Sequence, residues 1–340
     1  MSRALTFRPA TTADLDACGE IWRDSINDYR RGLGMSEFPP EFASIRRLHA
    51  HTLATDPDRF LVVVRAGGPN VESGVESGVG PGVERPVGRG LEAGERPVAF
   101  VSAVVRGPLW FLSMLFVRPE EQGAGIGRAL LDQVLPATAS DAAHETATTA
   151  ATTLATCTDS AQPVSNGLYA SLGIVPRMPL YDVIGYPRPD AFPALPAGIV
   201  VSALDGDGSD REIREIREIA GELGIDHRQD HDFLRTEDRR GFLYRDGGGR
   251  TAAFGYASPV GRLGPIGVRD PDLMAAVLGH LVRAVVPRGP FAMWVPGAAD
   301  RAFVGLLRAG LRLDGLPVLM CWSRPFADFS RYVPISPGLL

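Results

Sequence analysis

Residues 115–131, Leu-Phe-Val-Arg-Pro-Glu-Glu-Gln-Gly-Ala-Gly-Ile-Gly-Arg-Ala-Leu-Leu, run from an apolar strand through a glycine-rich turn into a helix-forming segment. The first N–H groups of a helix have no partner within it. With the positive end of the helix dipole they make a site for an anionic group such as a pyrophosphate. Gly123, Gly125 and Gly127 lack the Cβ atoms that would hold a ligand away from the backbone. A Walker phosphate loop needs Gly-Lys-Ser or Gly-Lys-Thr, and neither triplet stands here. A dinucleotide fold would place its glycines after a first strand, with an acidic ribose ligand further on. Here the turn follows a fourth strand and a low-complexity tract comes next. A glycine-rich helix start that holds no ligand is the remaining alternative.

A second cluster, Ser165-Asn166-Gly167-Leu168-Tyr169-Ala170-Ser171-Leu172-Gly173-Ile174, follows that tract. In this order the run Gln122-x-x-Gly125-x-Gly127 and the Asn166…Leu168-Tyr169…Leu172-Gly173 cluster resemble the two signatures of GNAT acetyltransferases. The resemblance covers roughly residues 5 to 184 and implies acetyl-CoA as cosubstrate, with no metal. By that likeness the backbone of Gln122, Gly123, Ala124, Gly125, Ile126, Gly127 and Arg128 holds the pyrophosphate. Leu115, Phe116 and Val117 line the pantetheine arm through their main chain, and Asn166 helps to fix the cosubstrate. Tyr169 stands where the family often keeps a general acid, and a phenol with reference pKa of about 10 suits protonation of a departing thiolate. The competing reading of Tyr169 is an amphipathic core residue with its hydroxyl at a pocket edge. The fourth strand, Leu109 to Val117, carries no acid that could act as a base, which leaves Glu20, Asp24, Asp28 or water.

The elements that must position these groups read as an α/β chain. Leu5 to Arg8 is a first strand, ended by Pro9. Leu15, Cys18, Ile21, Trp22 and Ile26 then form one apolar stripe of a helix that Thr11 or Thr12 can cap. Phe60–Val64, Val98–Val105 and Leu109–Val117 are strands, with a turn at Arg106-Gly107-Pro108 that argues against a membrane span over 99–117. A helix from about Gly125 to Leu135, a weak strand at Thr153–Cys157, a short helix over Ser165–Leu172 and a strand at Leu180–Ile184 follow. Two biased stretches, near 67–96 and 137–161, have too little apolar surface to offset ordering entropy and read as mobile insertions.

Pro187, Pro189, Pro193 and Pro196 mark a stiff linker over 187–198. Beyond it the same order of elements recurs. Arg-x-x-Ala-Phe occurs at 96–100 and 250–254, and Val117-Arg118 matches Val268-Arg269. An internal duplication follows, with two tandem acetyltransferase-like domains, each a central mixed sheet flanked by helices: 1–186 for acetyl-CoA and 199–340 degenerate. At the phosphate turn the second copy reads Arg269-Asp270-Pro271-Asp272, without glycines and with acids that repel an anion. Leu306 stands opposite Tyr169 there. His227, His231 and Trp294 are candidates for lining a shared cleft, though core or surface roles compete.

With 340 residues the chain suits two cores. Its 35 basic and 40 acidic side chains give a net charge of −5, which points away from nucleic acid and towards a cationic acceptor. The three cysteines are unpaired in spacing, and Met1-Ser2-Arg3 opens no apolar signal segment, so a cytoplasmic setting without membrane is expected. The acceptor is expected to be the primary amine of a small molecule, with protein amines and a homodimer left open. An acyl-CoA-binding sensor without turnover is the alternative function.

Overall fold

A computed structural model of the protein describes residues 5–40, 43–65, 96–136, 153–204 and 209–340. The expected mobile insertion near 67–96 lies outside the described residues apart from Arg96, and that near 137–161 does so up to residue 152. The chain forms two compact units, Met1–Val104 with Met114–Ala137, and Val105–Ser113 with Thr138–Leu340. No described helix is long and apolar enough to cross a membrane.

The first unit holds β1 (Leu5–Pro9), α1 (Leu15–Gly32), α2 (Ala43–Thr55), β2 (Phe60–Arg65), most of β3 (Arg96–Arg106), the second half of β4 (Leu109–Val117) and α3 (Ile126–Val134). β1 pairs antiparallel with β2, and β2 with β3. The α1 stripe is buried at Leu15, Cys18, Ile21 and Trp22, as its helical spacing requires. Thr11 donates backbone and hydroxyl hydrogens to Asp14 at 2.8 and 2.9 Å, and Arg8 grips the same carboxylate in a fork at 2.8 Å. This buried cluster fixes the entry of α1.

The second unit continues with β5 (Thr153–Asp159), α4 (Pro163–Ala170), β6 (Val175–Gly185), β7 (Val200–Ala203), α5 (Asp210–Glu222) and α6 (His231–Leu234). Then come β8 (Arg240–Arg245), β9 (Thr251–Ala257), β10 (Leu263–Val268), α7 (Met274–Ala284), β11 (Phe291–Pro296), α8 (Asp300–Arg308), β12 (Arg312–Leu313), β13 (Val318–Trp322) and β14 (Tyr332–Val333). One sheet runs β14-β10-β9-β8-β7. In the other, the first half of β4 lies parallel to β5, and β13 is inserted antiparallel between β5 and β6. β11 takes the other edge of β6. A strand near the end of the chain thus sits between two strands from its middle. The proline-rich stretch 187–198 lies inside this unit, where Phe192 is buried so close to α7 that a Cβ on Gly279 would meet it at 2.5 Å.

Two arginines after corresponding strands make the same set of contacts. The Arg118 backbone N–H donates to Val98 O at 2.9 Å, its Nε to Pro97 O at 3.1 Å, and its guanidinium pairs with Asp24 and Glu20 of α1. The Arg269 N–H donates to Ala252 O at 2.8 Å, its Nε to Thr251 O at 2.7 Å, and it pairs with Glu222 and Glu218 of α5. These partners stand in the register given by the two Arg-x-x-Ala-Phe segments. Likewise Ile174 N–H reaches Tyr169 O and Leu311 N–H reaches Leu306 O, both at 3.1 Å, with Gly173 and Gly310 at positive φ.

A fragment of residues 1–198 lacks both β13 and β11, so β5 and β6 would expose unpaired backbone edges. It should aggregate or melt without a cooperative transition by circular dichroism, whereas the full chain melts cooperatively. A monomeric fragment with a sharp melt would contradict the exchanged-strand arrangement.

Candidate active site

The glycine turn belongs to the first unit. After β4 a short 3-10 turn, Pro119–Glu121, is closed by Glu121 N–H on Arg118 O at 2.9 Å. Gln122 Nε2 then donates back to Val117 O at 3.0 Å, which draws the turn across the strand end. Gly123 and Gly125 have φ of +79° and +78°, a left-handed conformation that side chains with a Cβ adopt at a cost. Among the described residues no atom lies within 4 Å of the Cβ positions of either glycine, so none of them fills the space above the turn. Gly125 caps α3, which is anchored by buried Ile126, Leu130, Leu131 and Val134. Among the described residues the N–H groups of Gly123, Ala124, Gly125, Ile126 and Gly127 have no backbone acceptor.

The charges around this turn favour an anion. Glu120 and Glu121 would repel one, but Arg96 holds the first at 3.0 Å and Arg65 grips the second. Arg128 is engaged with Asp132 at 2.9 Å, so what it presents at the helix start is its backbone. A row of donors without acceptors among the described residues, begun by the exposed Gly123, Ala124 and Gly125 and flanked by neutralised acids, fits a pyrophosphate.

β4 supplies the next group. Its pairing with β5 ends at Leu112–Thr156, where the Thr156 hydroxyl donates to Leu112 O at 2.9 Å. Leu115, Phe116 and Val117 are partly accessible and have no partner in β5. The Val117 carbonyl accepts from Gln122, and the Ser25 hydroxyl lies 2.9 Å away. The main chain of Leu115 and Phe116 is freer to meet a ligand.

Asn166 and Tyr169 belong to the second unit. Asn166 spends its amide hydrogens on Asp159 O at 3.0 Å and Gln162 O at 2.7 Å, tying the start of α4 to the end of β5. Among the described residues its Oδ1 is buried without a partner, so this side chain can offer a ligand an acceptor only. Tyr169 is 5% exposed, and its hydroxyl has no hydrogen-bond partner among the described residues. Burial, then the neighbouring Cys321 thiol, pushes its phenol well above the ordinary range. Cys321 is the β13 partner of Thr156, so Tyr169 stands beside the row in which β4 and β5 last pair. Sequence reasoning did not find this neighbour, because it comes from the exchanged strand.

The candidate bases have other engagements. Asp24 and Glu20 serve Arg118, and Asp28 lies 3.8 Å from Arg31 with both side chains exposed. His227 is a core residue whose Nε2 meets the Tyr332 hydroxyl at 2.9 Å. No three His, Cys, Asp or Glu side chains converge among the described residues.

The acetyltransferase (GNAT) domain family model matches residues 90–173, which span β3, β4, the turn, β5 and α4. Over those residues the chain is similar to the GNAT acetyltransferase domain. No curated protein sequence is a significant match. A crystal structure of a candidate acetyltransferase from Pyrococcus horikoshii is 14% identical with a TM-score of 0.65, covering 98% of this chain and 95% of that one. A GCN5-related N-acetyltransferase from Sphaerobacter thermophilus is 15% identical with a TM-score of 0.58, over 96% and 98% of the two chains. A tandem GNAT protein from the clavulanic acid biosynthesis pathway is 15% identical with a TM-score of 0.52, over 95% and 99%. At these identities the likeness shows the fold, a GNAT fold in which mixed sheets are flanked by helices.

The part of the second unit that corresponds to the GNAT turn is closed by its own atoms. The Asp270 carboxylate accepts the Asp272 N–H at 2.9 Å, filling the place of an anion. Asp272 in turn pairs with Arg301 at 2.9 Å. β14 pairs with β10 at Ile266 and Gly267, along the edge that in β4 has no partner in β5.

Acetyl-CoA at one hundred times its dissociation constant should stabilise the wild-type chain by about 2.7 kcal/mol, seen as a rise in melting temperature. Gly125→Glu places a carboxylate at the helix start; among the described residues no atom lies within 4 Å of its Cβ position, and the left-handed backbone adds a modest conformational cost. The variant should fold and lose the rise. A full shift in Gly125→Glu would contradict the turn as the anion site.

Proposed function

We propose that this chain is an acetyl-CoA-dependent N-acetyltransferase that acetylates a primary amine of a small molecule, with Tyr169 as the proton donor. The observation that carries the reading is the turn of Gly123–Gly127, whose N–H groups lack acceptors among the described residues. Bound acetyl-CoA would supply an acetyl group activated as a thioester. The turn would hold the pyrophosphate, the main chain of Leu115 and Phe116 would orient the pantetheine arm, and Asn166 would offer its free Oδ1. A neutral amine forms the new C–N bond as the C–S bond breaks, and Tyr169 delivers its phenolic proton to the thiolate sulfur.

A phenol held above its ordinary value stays protonated throughout the neutral range. The acid form is therefore present wherever the amine is neutral enough to react. With Asp24 and Glu20 committed to Arg118, the amine gives up its proton to water. The closed turn and filled edge of the second half support a degenerate copy that shapes the fold. Cys18, Cys157 and Cys321 are free thiols, in keeping with a reducing cytoplasm.

Tyr169→Phe removes one hydroxyl and little volume, so acetyl-CoA affinity should persist while thiol release with an accepted amine falls about 10²-fold or more. In the wild type kcat/KM should rise with pH and hold beyond about pH 10, the ordinary phenol value, because Tyr169 loses its proton only above it. Unchanged turnover in Tyr169→Phe would remove this residue from the chemistry. Acetyl-CoA binding without thiol release for any amine would favour a sensor.

A further inference from the structure

A groove of about 960 Å³ lies wholly within the second unit, between the start of β6, the end of α5 and the segment joining β13 to β14. Its wall is aromatic. Trp322 and Phe329 stack with centroids 5.9 Å apart, and Phe326 stands edge-on to both at 6.0 and 5.4 Å. Trp322 and Phe326 are partly exposed along the groove, Trp322 keeping one face on Phe329.

The wall is held before any ligand arrives. Asp328 N–H donates to Leu223 O at 2.9 Å. Gly224, at φ +83°, lets the chain pass so close that a Cβ there would lie 2.0 Å from Phe326 O. Preorganised aromatic surface binds flat apolar groups with little ordering cost.

The charges decide which flat group. Both acids at the groove are already matched. Glu222 is gripped by Arg269, with Arg250 at 3.7 Å, and Asp328 is bonded to Arg331 at 2.7 Å and to the Ser330 hydroxyl. Arg177 is exposed and has no carboxylate within ion-pair distance among the described residues; its Nε donates to Trp322 O at 3.5 Å. The groove therefore sets one uncompensated guanidinium beside an aromatic wall.

We propose that this groove is a binding site for a small aromatic anion, with the ring against Trp322 and Phe326 and the anionic group on Arg177. A planar fork suits a carboxylate in particular. The site serves neither the glycine turn nor Tyr169 and stands independently of the acetyl-transfer reading.

The test is isothermal titration of the full chain with three probes that share one ring and differ in charge: naphthoate, naphthylmethanol and naphthylmethylamine. Naphthoate should bind about tenfold tighter than the alcohol, the scale of one charge-assisted hydrogen bond, and the amine weakest. Arg177→Gln, at an exposed position that does not threaten the fold, should remove the advantage of naphthoate and leave the alcohol unchanged. Phe326→Ala should weaken all three. No naphthoate binding at millimolar concentration, a preference for the amine, or unaltered selectivity in Arg177→Gln would each overturn the proposal.

Discussion

Backbone N–H and C=O groups that leave a sheet ladder need new partners, and much of this molecule follows from where β4 stops pairing with β5. The parallel pair runs from Leu109–Thr153 to Leu112–Thr156 and then ends. Beyond it Leu115, Phe116 and Val117 carry no β5 partner and remain partly accessible. The strand then turns through left-handed glycines whose N–H groups are also without backbone acceptors. A run of unmet donors and acceptors that ends at a helix N-terminus is what an elongated ligand with an anionic end requires. In the second half β14 covers the corresponding edge of β10, and Asp270 caps the corresponding turn. The same backbone demand is met there internally.

The exchange of strands ties the two halves together. β6 takes β13 along one edge and β11 along the other, so strands from the middle and the end of the chain share one ladder. The same exchange brings Cys321 beside Tyr169. A buried ion pair within the second unit, Arg106 to Asp230 at 2.7 Å, links the segment 105–113 to the segment after α5. Removing one partner would leave a buried charge uncompensated.

Local features were legible in the sequence. The α1 stripe, the strand pair around Arg106-Gly107-Pro108 and the Gln122–Gly127 turn each depend on residues close together in the chain. So did the repeated Arg-x-x-Ala-Phe, whose two copies receive Arg118 and Arg269 alike. What escaped was non-local pairing. Nothing in Val318–Trp322 says that it lies between β5 and β6, because an apolar strand of this length fits many edges. β14 has only two residues, too few for any periodic signal. The weak strand expected at Thr153–Cys157 extends to Asp159, its threonines and alanines being organised by β4 and β13 on either side. Glu20 and Asp24 offered themselves as bases because the partner that claims them, Arg118, is distant in sequence.

The central claim is that unmet backbone donors of the first half, and not their counterparts in the second, receive acetyl-CoA. Hydrogen–deuterium exchange of the full chain with and without saturating acetyl-CoA reads those amides directly. Slowed exchange over 115–117 and 123–127, with none over 270–274, is the predicted result. Protection at 270–274, or an unchanged 123–127 under saturation, would contradict it.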